Sequence, residues 1–377
     1  MNFLDAIKAP RTLTPTATVV RQRNGKISVE NAHLISEQQQ QQRRDAAELA
    51  KSSAENVVVI NRFDSGRLTT HCTTTQSWQT DTTTSSTTCT TPVTTPLTEL
   101  TELTHSAGLT ILTLNVWFAQ YAWEKRQQSL LKQIFSSPQD VVLLQEVTVQ
   151  FLQKLQQDVR IQQTYRMTDR GNGSSFLGSY GNLILIKRSL PIPAVNFVKF
   201  SSSMGRRGLF IQWSNLVIST VHLESLDNCT IRMTQLSELC SALLGDNDGD
   251  IMSSSSSSSR VIIAGDFNIA ESGCYGNEEE NRALQQTILD EYGFEDVGKS
   301  LGATYDTNQN EMVQRVTKQP EDVSRYDRIL SRGLLCENVR LIGTEKIVVD
   351  EHDEQDGGED VWMSDHFGLM WTVAVCE

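Results

Sequence analysis

VIIAGDFN, residues 261–268, is the stretch on which the reading of this chain turns. Val261 to Ala264 is a short apolar run of the kind that forms a buried strand. Gly265 has no Cβ, so the chain can bend sharply there as it leaves the sheet. Asp266 and Asn268 then follow on one loop. A carboxylate in that place can polarise a water, and an amide can bind a phosphate oxygen. Taken alone, the string fits an ordinary strand-end turn better.

The same design recurs along the chain. LTLNVW (112–117), VVLLQEV (141–147), VISTVHLES (217–225) and SDHFGL (364–369) each set a polar tip at one end of an apolar run. Asn115 is either a turn former or a group that fixes a nucleophile and a phosphate oxygen. Glu146 is either a solvated charge or a ligand for a hard cation. Mg²⁺ takes only one or two carboxylates and keeps several waters, so one glutamate suffices. His366 can donate to a phosphoryl oxygen if Asp365 or Asp327 orients and charges it. The alternative is a structural histidine at a strand start, and His222 faces the same choice. His33, His71, His105 and His352 fall in low-complexity or acidic stretches and carry no assigned chemistry. As a set, the polar tips point to hydrolysis of a phosphoester with a divalent metal.

Composition divides the 377 residues sharply. Residues 1–106 are rich in Gln, Thr and Ser, with a glutamine run at 38–42 and a Thr/Ser tract at 69–95. Such a segment buries too little apolar surface to offset the entropy of ordering it. It is read as a mostly disordered N-terminal region. A short protein-binding segment within 1–34 would use its few apolar residues. Residues 107–377 are read as the folded catalytic domain, with flexible insertions near 246–259 and 350–361. No apolar run of 18 residues is present, which predicts no membrane span. MNFLDAIKAPR lacks the apolar core of a secretory signal, so secretion is not expected. Seven cysteines without a CxxC pair argue against a zinc site or disulfide framework and fit a reducing compartment. A net charge of −13 argues against bulk electrostatic coating of nucleic acid, though not against a local basic cleft.

Strands are predicted over 109–117, 140–146, 182–187 and 261–264, with a hairpin over 209–213 and 216–221. Helices are predicted over 123–135, 231–244 and 281–292. Closing strands are predicted over 326–330 and 365–375. Strands outnumber helices, and hairpins mix with helical crossovers. That pattern suggests an α/β (α+β) fold with two packed sheets covered by helices, rather than one doubly wound parallel sheet.

The ordered set Asn115, QE (145–146), HLE (222–224), GDFN (265–268), YDRI (326–329) and SDH (364–366) resembles the endonuclease/exonuclease/phosphatase superfamily over about 108–376. The resemblance implies a DNase I-like, four-layered α/β sandwich of two packed mixed β-sheets flanked by helices. HLES (222–225), MGRRGL (204–209), TYDTNQN (304–310), RYDRI (325–329) and SDHFGL look like the branch that removes tyrosine from DNA 5′-phosphates. By that resemblance Glu146 and Asp266 serve the metal centre, which takes Mg²⁺ or Mn²⁺ in its place. Asp266 activates water, Asn115 and Asn268 position it and the phosphate, and His366 stabilises the transition state. Asp327, Asp365 and His222 would support them. Tyr180, Arg206, Tyr305 and Tyr326 would meet the substrate. The implied partner is a protein-blocked DNA 5′ end, the implied compartment the nucleus, and the expected state a monomer. Ala270 stands where that branch has an arginine, and Tyr305 where it has a tryptophan. Sister activities stay open: abasic endonuclease, deadenylase, and phosphoinositide or sphingolipid phosphohydrolase. So does a non-catalytic scaffold.

Overall fold

The computed structural model describes residues 63–66, 69–72, 77–80 and 108–374, less 170, 171, 174, 214, 215, 245–259, 274 and 348–359. All of them belong to one compact unit, 56–377.

Two βαβ units explain the architecture. Strand β4 (Leu109–Asn115) leads through helix α1 (Trp123–Ser136) into β5 (Val141–Thr148), and β4 and β5 pair in parallel. Strand β10 (Leu216–His222) leads through helix α4 (Cys229–Leu244) into β11 (Arg260–Asp266), again in parallel. A parallel pair needs a crossover of a dozen or more residues, and the two amphipathic helices supply it. Antiparallel neighbours extend both pairs. The first sheet runs β16 (Leu335–Ile342), β17 (Gly368–Ala374), β4, β5, β7 (Tyr180–Lys187), β6 (Tyr165–Met167), β2 (Thr69–Cys72), β3 (Ser77–Thr80). The second runs β1 (Phe63–Gly66), β8 (Ala194–Lys199), β9 (Arg207–Gln212), β10, β11, β15 (Asp327–Arg332), β12 (Glu295–Val297), while β13 (Tyr305–Asp306) and β14 (Val323–Ser324) pair separately.

The sheets pack face to face through Ile111, Leu143 and Ile184 of the first and Ile211, Ile218, Ile262 and Ile329 of the second. Alternate residues Leu112, Leu114, Val142 and Leu144 face outward, against α1 and α2 (Val149–Gln157). On the other side Val217, Val261 and Ile263 meet α4 and α5 (Glu278–Leu284). Both faces of each central strand are therefore dry. That is why these strands read as continuous apolar runs instead of alternating patterns. Each fully buried Ile or Leu contributes about 1.5–3 kcal/mol. The result is the expected four-layered sandwich of two mixed sheets with flanking helices.

Several details differ from the sequence reading. Gly265 does not make a turn but sits inside β11, at φ +136°. A Cβ there would lie 2.2 Å from the Val221 carbonyl oxygen, so the glycine permits close approach of β10. Strands β1, β2 and β3 come from the segment read as N-terminal tail and add to sheet edges. Edge addition relies on backbone hydrogen bonds, so it leaves little hydrophobic pattern in the sequence. The remainder of 1–106 lies outside the described residues. So do the insertions expected at 246–259 and 350–361, except for Asp360, which is exposed, and Val361, which is buried. Helices α2, α3 (Val159–Thr164) and α6 (Glu311–Thr317) and strands β8 and β16 were not expected. No described helix is long and apolar enough to cross a membrane.

Candidate active site

Strand direction delivers the site. The two parallel pairs end at one rim and carry Asn115, Glu146, His222 and Asp266 at or near their C-terminal ends. Antiparallel partners reach the same rim with their first residues, Tyr180 of β7 and Asp327 of β15. His366 enters just before β17. Five of the seven described non-glycine residues with positive φ surround this rim: Trp117, Ala122, Glu146, Leu226 and Asn268. Such conformations persist where surrounding contacts over-determine them, as at functional sites.

Asp266 is the hub. Its carboxylate accepts from Asn115 Nδ2 at 3.0 Å and from the Asn268 backbone N–H at 2.8 Å. His222 Nε2 lies 3.5 Å away and His366 Nε2 3.9 Å away. Burial opposes its charge, but His366, His222 and those donors together hold Asp266 below the usual carboxylate range. The group is therefore an ionised acceptor. Asn268 also donates Nδ2 to the Leu223 carbonyl at 3.1 Å, which ties its loop to β10.

The two histidines differ in charge. Asp327 Oδ2 accepts from His366 Nδ1 at 2.8 Å. Burial disfavours the imidazolium, yet Asp327, Asp365 and Asp266 raise His366 well above the usual value. His222 Nδ1 instead faces Arg206 Nη1 at 2.8 Å. Arginine only donates, so Nδ1 must accept and the ring proton sits on Nε2. Burial first, and Arg206 second, push His222 well below its usual value. Its Nε2–H points at the gap between Asp266 and Glu146, 3.7 Å from Glu146 Oε1.

Glu146 lies in a β-bulge of β5 at φ +60°. The Phe118 N–H donates to its Oε2 at 2.9 Å. Burial, and then the charge of Asp365, push this carboxyl up to about 7 against Phe118, Arg206 and His366. Burial likewise pushes Asp327 up to about 6. Asp365 is also raised by burial. Glu146, Asp266 and Asp327, all buried, and the half-buried Asp365 thus crowd one rim. Asp266, Asp327 and His366 have the spacing of a metal site, with ligand atoms within 4.8 Å of one another. A protonated His366 has no lone pair to offer, however, so that trio fits an ion-paired relay better. Glu146, with the Phe118 N–H at 2.9 Å and His222 Nε2 at 3.7 Å, is a further carboxylate that could hold a cation.

Aromatic rings flank the pocket. Tyr305 stands edge-on to His366 at 5.2 Å and to Tyr326 at 5.7 Å. Opposite in role, Tyr180 lies 6.2 Å from His222 and carries the Arg206 guanidinium 5.4 Å over its ring. Arg206, expected at the substrate, is itself buried and also donates to Ser225 Oγ at 2.9 Å. Ala270 is buried beside the Asn268 loop.

Four supporting residues had no role assigned from the sequence. Arg126 is fully buried on α1, and its guanidinium donates to the carbonyls of Val116, Trp117, Ala119 and Tyr121. Its signal was a charge four residues before Leu130 on the apolar face. Thr304 Oγ1 accepts from the N–H groups of Tyr326 and Asp327 at 3.0 and 2.9 Å. Ser364 Oγ donates to the Asn115 carbonyl at 2.6 Å. Phe118 stacks on Tyr180, with centroids 4.8 Å apart and planes 3° from parallel. Thr304 and Ser364 open the TYDTNQN and SDHFGL strings but had no role assigned there, and Phe118 gave no local signal.

A sequence profile of the Endonuclease/Exonuclease/phosphatase family matches residues 112–366. The chain belongs to this family of phosphodiester hydrolases, whose members generally use a divalent metal. No curated protein matches by sequence. Solved structures with the same fold include D. rerio TDP2 complexed with a single-strand DNA product: 23% identity, TM-score 0.53, covering 70% of this chain and 98% of that one. Truncated Caenorhabditis elegans TDP2 gives 18% identity and TM-score 0.53, over 71% and 97% of the two chains. An endonuclease/exonuclease/phosphatase family protein from Bacteroides thetaiotaomicron gives 14% and 0.50, over 71% and 97%.

Proposed function

We propose that this chain is a Mg²⁺-dependent phosphodiesterase that hydrolyses 5′-phosphotyrosyl bonds between DNA ends and trapped topoisomerase. The observation that carries the reading is the Asp266 hub. An ionised carboxylate is held by Asn115 and Asn268, with a neutral histidine on one side and a charged one on the other. Mg²⁺, or Mn²⁺ in its place, would be held by Glu146 with Asp266 nearby, and supplies charge neutralisation at the phosphate oxygens. Asp266 accepts the proton of a water whose oxygen attacks phosphorus. The P–O bond to tyrosine breaks, and the phenolate leaves with a 5′-phosphate as the other product. His366, kept protonated by Asp327, and His222 through Nε2–H donate to the non-bridging oxygens as charge develops. TDP2-type motifs in HLES, TYDTNQN and RYDRI, together with the fold shared with TDP2, support the substrate.

In this reading residues 107–377 are the catalytic domain, with β1 to β3 added at its edges. The rest of 1–106 recruits a protein partner, and the enzyme works as a monomer in the nucleus. The test is turnover of a 5′-phosphotyrosyl oligonucleotide with and without Mg²⁺. Asp266→Asn and Glu146→Gln should each lower kcat by about 10²-fold or more, the scale of losing a general base or a charge-stabilising group. Near wild-type rates in both variants would reject the mechanism. Turnover of abasic duplex, poly(A) or a phosphoinositide in preference to the tyrosyl substrate would move the assignment to a sister activity.

A further inference from the structure

The loop after β4, residues 116–122, is held more firmly than its role as a connection requires. Arg126 grips four of its carbonyls, and the Arg126 side chain also lies 4.6 Å over the Trp117 ring. Asn115 Oδ1 accepts from the Trp117 N–H at 3.0 Å. Trp117 and Ala122 adopt φ of +55° and +45°, which is strained for residues other than glycine. Val116 and Trp117 are buried, but Phe118 between Trp117 and Ala119 is 45% exposed. One exposed apolar ring is unremarkable on a protein surface. This one is different because its own N–H sits on Glu146 Oε2 at 2.9 Å and its ring lies parallel to Tyr180. A ring fixed beside the reacting centre, half open to solvent and already stacked on one side, offers a face to a second flat group. Offset-stacked aromatic arrangements are the favoured geometry for such rings.

We propose that Phe118 is a specificity-determining contact, forming with Tyr180 a rigid shelf that stacks an aromatic ring of the substrate close to the scissile phosphate. The proposal rests on the phosphodiesterase reading above and narrows its substrates to phosphodiesters with an aromatic neighbour. Both the tyrosine ring and the first nucleobase meet that chemistry, and the experiment separates them.

Full-length wild type, Phe118→Ala and Phe118→Trp are assayed with Mg²⁺ on a 5′-phosphotyrosyl oligonucleotide. The same oligonucleotide lacking its first base, and the p-nitrophenyl ester of thymidine 5′-phosphate, complete the set. Phe118→Ala should lower kcat/KM about tenfold, carried mainly by KM, the lower end of what base–aromatic stacking contributes. Phe118→Trp should restore it. A KM effect that persists without the first base assigns the stacked ring to tyrosine, and one that vanishes assigns it to the base. Equal KM for wild type and Phe118→Ala on every substrate overturns the shelf. Should wild type cleave only the p-nitrophenyl ester, the protein-blocked-end reading fails by itself. The shelf is then judged on that ester, where equal KM overturns it.

Discussion

His222 and His366 stand on either side of Asp266, at 3.5 and 3.9 Å, and both are buried. Burial alone would leave both rings neutral. What separates them is the residue behind each ring. A carboxylate, Asp327, backs His366 at 2.8 Å, and a guanidinium, Arg206, backs His222 at the same distance. One ring therefore brings a full positive charge to the centre, and the other brings a neutral donor with a fixed proton. Two donors of unequal charge suit a phosphoryl group better than two cations. A second imidazolium would further depress Asp266, which must still accept a proton.

Asp327→Asn should do most to erase the difference. Asp327 is the leading influence raising His366, so without it the ring should lose its charge at a lower pH, with only Asp365 and Asp266 left to oppose burial. A fall in kcat of about 10²–10³-fold is expected, within the range for loss of one acid–base group. The sign follows from linkage. In wild type the imidazolium persists above 6.5, so the activity and stability it contributes are complete below 6.5 and lost as pH rises through its raised value. In Asp327→Asn the alkaline limb of the pH–rate profile should move to lower pH. An unchanged limb would show that His366 is not the group observed.

Arg206→Met attacks the other ring. His222 Nδ1 would lose its donor, and the second cause of its lowered value would go, so His222 should titrate at a higher pH. A buried hydrogen bond to a charged group contributes about 1.5–3 kcal/mol, so kcat/KM should fall about 10–100-fold. Histidine NMR across pH checks the first outcome and steady-state kinetics the second. A His222 resonance that still does not titrate near neutrality would mean that burial alone sets its state.

The same contrast marks what the sequence could show. Asn115, Glu146, Asp266 and His366, which the structure brings to one rim, stood out in the sequence because each adjoins a strand whose two faces are dry. Two packed sheets covered by helices were legible from the mix of strands, hairpins and helices, and the four-layered order followed from the family resemblance. The pairing of His366 with Asp327 instead of Asp365 was not, because it depends on where β15 and β17 meet the rim, 39 residues apart in the chain. The opposite charge of the two histidines was invisible for the same reason. Gly265 was noticed for the wrong local cause, since its neighbour β10 lies outside any sequence window. Strand β16 was missed because an edge strand with alternating exposed and half-buried residues has no clean pattern.

The smallest expected effect reaches His222 at third hand. Glu224 is fully buried in HLES, and its carboxylate accepts from Ser202 Oγ at 2.6 Å, the Ser203 N–H at 2.9 Å and Gln235 Nε2 at 3.0 Å. Ser202 Oγ in turn accepts from the Arg206 N–H at 2.9 Å and the Met204 N–H at 3.1 Å. Glu224 thereby fixes the backbone of the residue that fixes His222. Glu224→Gln keeps the shape but sets an NH₂ donor where donors already converge, so at least one becomes unpaired. That costs about 1–3 kcal/mol of stability. The displaced loop should loosen Arg206 without removing it, so kcat/KM should fall by less than in Arg206→Met. Thermal unfolding measures the first effect and kinetics on the 5′-phosphotyrosyl oligonucleotide the second. Their combination is diagnostic: lost stability with unchanged kinetics would confine Glu224 to the fold. Lost stability with a weakened His222 resonance shift would place it in the chain of contacts that keeps the two histidines different.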